Sequence, residues 1–170
     1  MAYPSLYHWN GMAMERLDTS SLTINLYAMW GTDSSNLWLV GAGASNQVVK
    51  YDGFTFTVVL DSASQSWFTT PYVIFGTSVN DIWVGGDQCI AHWDGAAWTQ
   101  VIDPIGEVPV AWYGISGFAS NDIYLCGYGT KDYEAYNRYI LHWNGVNLTQ
   151  SYREVSAGYT AFNSIRKLRT

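Results

Sequence analysis

The chain has 170 residues, 8 basic against 14 acidic side chains, and a formal net charge of −6. With 48% apolar and 13% charged residues it can bury a substantial core, and an acidic chain with no Lys/Arg stripe is a poor fit for nucleic acid. No apolar run approaches the roughly 20 residues of a membrane helix, Met1–His8 does not read as a signal peptide, and two cysteines are too few for a disulfide scaffold.

In chain order, the first signal is His8-Trp-Asn-Gly11, a turn flanked by apolar residues, so residues 6–17 read as two strands. Tyr27–Trp30 and Leu37–Val40 follow as strands A and B, joined through Trp30-Gly-Thr-Asp-Ser-Ser-Asn-Leu-Trp-Leu-Val-Gly41. Val48–Tyr51 and Phe54–Leu60 then form strands C and D around Lys50-Tyr-Asp-Gly53, with the alternation of half-buried strands. The whole cycle returns. Phe75-Gly-Thr-Ser-Val-Asn-Asp-Ile-Trp-Val-Gly-Gly86 aligns without gaps on the first pattern, and Ser116-Gly-Phe-Ala-Ser-Asn-Asp-Ile-Tyr-Leu-Cys-Gly127 does so again, at offsets of 45 and 41 residues. His92-Trp-Asp-Gly95 and His142-Trp-Asn-Gly145 repeat the second pattern, and Tyr27, Tyr72 and Tyr113 stand three residues before the aligned position, as Tyr159 does before Phe162. Each Asn-Gly or Asp-Gly pair predicts a two-residue type I′ hairpin.

Four strands per cycle at this period predict an all-β fold, a β-propeller of four-stranded antiparallel blades. The predicted units are blades over residues 26–60, 71–102 and 112–153, plus one blade split between strands C and D at 6–17 and a strand A at 158–166. Fifteen strands leave the split blade without a strand B. Closure in cis into four blades, closure between two chains into eight, or an open arc covered by another protein all satisfy the count. Closure by assembly, as a homo-oligomer or part of a larger particle, best removes the exposed edge that sheets avoid.

The run Asn80-Asp-Ile-Trp-Val-Gly-Gly86, continued by Ile90-Ala-His-Trp-Asp-Gly-Ala-Ala-Trp98, resembles bacterial short-blade propeller repeats related to tectonin-like and Asp-box (BNR-type) repeats. The resemblance spans nearly the whole chain, although no Ser-x-Asp precedes the turn glycine. It implies the propeller fold and is compatible with lectins, hydrolases, surface proteins and viral appendages.

Little in the sequence reads as catalysis. His8, His92 and His142 occupy one repeat position, which radiating blades hold apart, so they read as structural residues beside Trp. Cys89 and Cys126 fall at different repeat positions and read as inert buried thiols, with no metal site and no cofactor expected. Asp52, Asp94, Asp81 and Asp122 are turn residues, and no arginines cluster at equivalent inner positions as in sialidase-type propellers. The prediction is a non-enzyme.

Binding is expected on the face that carries the B–C and D–A connections, because these vary among the repeats while the opposite turns are nearly constant. From the strand B glycine to the hairpin glycine the three blades count 12, 9 and 18 residues. The longest connection, Tyr128–Arg138, offers Tyr128, Lys131, Asp132, Tyr133, Tyr136 and Arg138 as ligand contacts. Trp67 and Trp112 join them as tryptophans that match no aromatic in the other repeats. Flat rings mixed with polar groups suit a glycan or a protein partner. The predicted function is therefore non-catalytic recognition, glycan- or protein-binding; the alternative is a structural or adaptor subunit of a multi-protein particle such as a phage tail.

Overall fold

The computed structural model describes residues 4–106, 109–130, 136–156 and 162–166. A hairpin, β1 (Leu6–Trp9) and β2 (Met14–Leu17), is followed by three four-stranded antiparallel sheets. The first comprises β3 (Ile24–Asp33), β4 (Asn36–Gly43), β5 (Asn46–Tyr51) and β6 (Phe56–Asp61). The second comprises β7 (Pro71–Ser78), β8 (Asp81–Gly86), β9 (Cys89–Trp93) and β10 (Trp98–Gln100). The third comprises β11 (Val110–Ala119), β12 (Asp122–Thr130), β13 (Tyr136–Trp143) and β14 (Leu148–Ser156). Each sheet is a meander in sequence order, the blade of an all-β propeller. Among the described residues the blades form an open arc.

The core lies between blades, not within them. Trp38, Val40, Val48 and Leu60 of the first blade pack against Ile74, Ile82, Val84, Cys89 and Ala91 of the second and Phe68 of the connection between them. Trp83 and Ile90 on the other face of the second blade meet Trp112, Ile115, Ile123, Leu125 and Leu141 of the third. Successive strand residues point to opposite faces, so Ile82 and Val84 serve one interface while Trp83 serves the next. Leu6 of the hairpin joins Leu39 and Tyr51 in a smaller cluster on the first blade.

A polar module recurs in the second and third blades. In the second blade Asp81 is buried and accepts hydrogen bonds from Trp83 Nε1 at 3.0 Å, from His92 Nε2 at 2.7 Å, and from the Thr77 hydroxyl. The His92 ring stacks on Trp83 with centroids 4.2 Å apart. In the third blade Asp122 accepts from His142 Nε2 at 3.0 Å, and that ring stacks on Tyr124 at 4.3 Å. In the first blade Asn36 replaces the aspartate and Lys50 the histidine, with the ammonium 5.2 Å from the Trp38 centroid. These histidines are thus occupied in holding a blade together.

Two expectations need correction. The Asn-Gly and Asp-Gly turns are not two-residue type I′ loops: strand pairing stops at Trp9–Met14, Tyr51–Phe56, Trp93–Trp98 and Trp143–Leu148, leaving four residues in each connection. Only the glycines, Gly11, Gly53, Gly95 and Gly145, have positive φ, whereas type I′ needs two such residues. The preceding Asn or Asp closes the loop instead, its side-chain oxygen accepting two backbone N–H groups, as Asp52 does from Phe54 and Thr55. Of the strand A expected over 158–166, residues 158–161 with Tyr159 lie outside the described residues; 162–166 are not a regular strand, although Ser164 and Ile165 lie against Gly114 on the innermost strand of the third blade.

Asp81→Ala should strand a buried indole N–H and an imidazole, costing about 1–3 kcal/mol; the urea midpoint should fall with the m-value unchanged. The turn aspartates give a separate pH signature. Backbone N–H groups at Thr55 and Phe54 hold Asp52 below the usual carboxylate range, and those at Ala97 and Ala96 do the same for Asp94. A depressed folded-state value contributes stability at neutral pH that is lost as pH falls through it, below about pH 4. Asp52→Asn with Asp94→Asn, matching Asn10 and Asn144, should keep the turns and flatten the stability curve in that acid range, as measured by urea unfolding at pH 2–7.

Candidate functional site: a tyrosine row on the inner strands

The first strand of each blade is innermost, and these strands are neighbours: β3 packs on β7, and β7 on β11. Each carries a β-bulge at the same place. The pairing register shifts between Leu26 and Ala28, between Pro71 and Val73, and between Trp112 and Gly114. The extra residue in each case is the repeated tyrosine, Tyr27, Tyr72 or Tyr113. A bulge re-aims a side chain by breaking the two-residue alternation. Here it turns one ring per blade out of the packed interfaces.

The rings line up across the blades. Tyr27 and Tyr72 lie 6.3 Å apart at 37°, Tyr72 and Tyr113 4.9 Å apart at 12°, and Tyr113 and Tyr128 5.5 Å apart at 6°. Tyr136 continues the row 6.1 Å beyond Tyr128. The rings are half-buried except Tyr27, which is exposed. Burial raises the Tyr72 phenol, helped by the nearby Asp87 carboxylate, so its hydroxyl stays a neutral donor and acceptor at physiological pH. Tyr27, Tyr72 and Tyr113 each follow directly from a D–A connection, which sets the row on the side of the variable loops.

Two devices position the row. The glycine ending each pattern, Gly41, Gly86 or Gly127, faces the backbone two residues before the bulge tyrosine. A Cβ there would stand 2.1–2.2 Å from the carbonyl oxygen of Asn25, Thr70 or Ala111. Only glycine admits so close an approach. The second device is a backbone clasp between the second and third blades. Gln88, at φ 56°, donates its N–H to the Val110 carbonyl at 2.9 Å, and Asp87 forms an isolated antiparallel bridge with Ala111.

The sequence-derived contacts separate under this geometry. Tyr128 and Tyr136 belong to the row. They sit in regular ladder, not a loop, because β12 and β13 extend the hairpin with Tyr128 opposite Arg138 and Thr130 opposite Tyr136. Arg138 is committed to structure: its Nη2 lies 3.4 Å from Glu154 Oε1, and its guanidinium sits 5.3 Å from the Phe162 ring centroid. Trp112 is fully buried between the second and third blades and offers no surface to a ligand. It precedes the bulge residue, on the face where Leu26 and Pro71 stand in the other blades, and fills a core position with a larger ring. Trp67 is half-buried, its Nε1 donating to Gln65 Oε1 at 2.9 Å and its ring packed edge-on to Phe68. Lys131, Asp132 and Tyr133 lie outside the described residues.

Sequence reasoning missed Tyr27, Tyr72 and Tyr113 as site residues, although it used them to mark the repeat. The missing signal was the bulge, which changes the face on which a residue emerges. Burial lifts the Cys126 thiol to about 11 and raises Cys89 as well, so both stay protonated at neutral pH. Among the described residues no group of three or more His, Cys, Asp or Glu could hold a metal ion.

No protein-family model matches the chain, and no curated protein matches it in sequence. A solved structure described as "YCF48 bound to D1 peptide" is similar in fold, with a TM-score of 0.57 and 18% identity. The match covers 72% of this chain and 41% of that one, so the chain spans less than half of that propeller's length.

Gly127→Ala should displace the Ala111 carbonyl and cost about 1–3 kcal/mol, whereas Tyr113→Ala, a half-buried axial ring, should cost less. Paired urea denaturation curves check the order, and the reverse order would make Tyr113 a core residue.

Proposed function

We propose that the protein is a non-catalytic protein-binding propeller module that receives an extended peptide segment along the tyrosine row. The observation carrying this reading is the stacking itself. Rings 4.9–5.5 Å apart and within 12° of parallel cover one another's faces, so a ligand would meet ring edges. A glycan platform needs open ring faces, whereas phenol hydroxyls in a row suit the repeating N–H and C=O groups of a peptide main chain. The fold neighbour's description as bound to a peptide agrees with this class of partner. The resemblance to tectonin-like and Asp-box repeats is also compatible with a non-enzyme. Lys131, Asp132 and Tyr133, between Tyr128 and Tyr136 in sequence, and Trp67 are proposed as further contacts.

Selection of a random peptide display library on the immobilised protein should yield binders. Replacing Tyr72, Tyr113 and Tyr128 together by Phe keeps the rings and removes the hydroxyls. Affinity for the selected peptides should fall about tenfold or more, at roughly 1 kcal/mol for each lost hydrogen bond. Retained affinity in the triple variant, or glycan-array binding with no peptide selected, would reverse the assignment.

A further inference from the structure

The position directly after the glycine that ends each second-strand pattern changes character from blade to blade. It is Ala42 after Gly41, Asp87 after Gly86 and Tyr128 after Gly127. In all three blades it lies across from the residue two before the repeated tyrosine. Ala42 pairs with Asn25 and Tyr128 with Ala111, while the Asp87 N–H donates to the Thr70 carbonyl at 2.8 Å. Tyr128 shows what this position reaches, since its ring stacks on Tyr113. Asp87 reaches the equivalent Tyr72: after burial, its carboxylate is the largest influence raising that phenol. One repeat position thus supplies a methyl group in the first blade, a carboxylate in the second and an aromatic ring in the third.

Asp87 is half-buried, and its main chain is held from both sides. Its N–H goes to Thr70, its carbonyl accepts from the Thr69 hydroxyl, and its bridge to Ala111 ties it to the third blade. The side chain is the part left over. Among the described residues every other aspartate carboxylate accepts at least one hydrogen bond, and that of Asp87 accepts none. Neighbouring cations are committed: Arg138 to Glu154, Arg153 to Asn137, and Lys50 over Trp38. A carboxylate partly stripped of water and given no donor is costly, and a cation brought to it offsets that cost. The blades on either side of Asp87 are both four-stranded, so the unmet charge does not belong to an open edge.

We propose that Asp87 is the specificity-determining residue of the tyrosine row, selecting a peptide that carries a lysine or arginine where it passes Tyr72. This inference rests on the peptide-binding reading and adds the charge of the partner to it. The clasp fixes the carboxylate before the partner arrives, so little ordering is left to be done on binding. A chain of net charge −6 also draws a basic segment toward it at long range. The other two blades have Ala42 and Tyr128 at this position, so the preference is confined to one place along the row and sets the register of the peptide.

Peptides selected from a random display library on the full wild-type chain should share a lysine or arginine at one position. Replacing that residue by glutamine should weaken binding about tenfold, and Asp87→Asn, which keeps the backbone clasp, should do the same. In the double-mutant cycle the two losses should not add. Affinity should fall with rising salt more steeply for the wild type than for Asp87→Asn. Ala42→Asp places a second carboxylate at the equivalent position of the first blade, and peptides selected on it should carry a second basic residue, a gain that misfolding could not give. Peptides that depend on the tyrosine hydroxyls but share no basic residue, or losses that add in the cycle, would overturn this inference and leave the peptide-binding reading standing. Selection of no peptide would overturn both. Acetyl-arginine amide binding as tightly as a selected peptide would overturn the peptide as the source of the cation.

Discussion

Each innermost strand of this arc runs so close to the glycine ending the second strand that a methyl group could not be placed between them; Gly41, Gly86 and Gly127 all face a carbonyl oxygen in this way. That approach lets the inner strand bulge at the next residues. The bulge divides labour along one strand: Pro71 or Trp112 goes into the interface, and the adjacent Tyr72 or Tyr113 goes towards the axis. Without the bulge, strict alternation would send the tyrosine to the face opposite its neighbour and into a packed blade interface. Scaffold and candidate surface therefore rest on the same three contacts.

The Asp81–His92 and Asp122–His142 pairs show how the repeat tolerates polarity inside its walls. A buried carboxylate is costly unless its lone pairs are met, and Asp81 meets three donors from its own blade. In the first blade the two positions have other partners: Asn36 Nδ2 donates to the Asp33 carboxylate, and the Lys50 ammonium lies over Trp38. In the second and third blades the matching is self-contained, met by groups of the same blade.

The architecture was largely legible because Gly-Thr-x-x-Asn turns, His-Trp-Asp-Gly loops and Asp-Ile-Trp strands each have a local physical cause. The site was legible only in part. Tyr128 and Tyr136 drew notice by their place in the longest departure from the repeat, and both proved to lie in an extended ladder. Trp112 was misplaced because, with no aromatic at the matching sites, it looked like an addition to the repeat; Leu26 and Pro71 at those sites show the position to be apolar throughout. Tyr27, Tyr72 and Tyr113 went unnoticed as contacts because inter-blade stacking and a one-residue bulge are non-local, invisible to a periodicity read along one strand.

The clasp formed by Asp87 and Gln88 has a mechanical meaning. Among the described residues, the backbone hydrogen bonds that cross from one blade to another are those it makes to Val110 and Ala111. The first and second blades meet through side chains, with Gly76 resting on the ring of Trp30. Apolar contacts slide more readily than directed hydrogen bonds break. The tyrosine spacing follows the same division: 4.9 Å and near-parallel at the clasped joint, 6.3 Å and tilted at the other. Any bend between the second and third blades must break directed hydrogen bonds, so the clasp fixes the pitch of the row from Tyr72 to Tyr113.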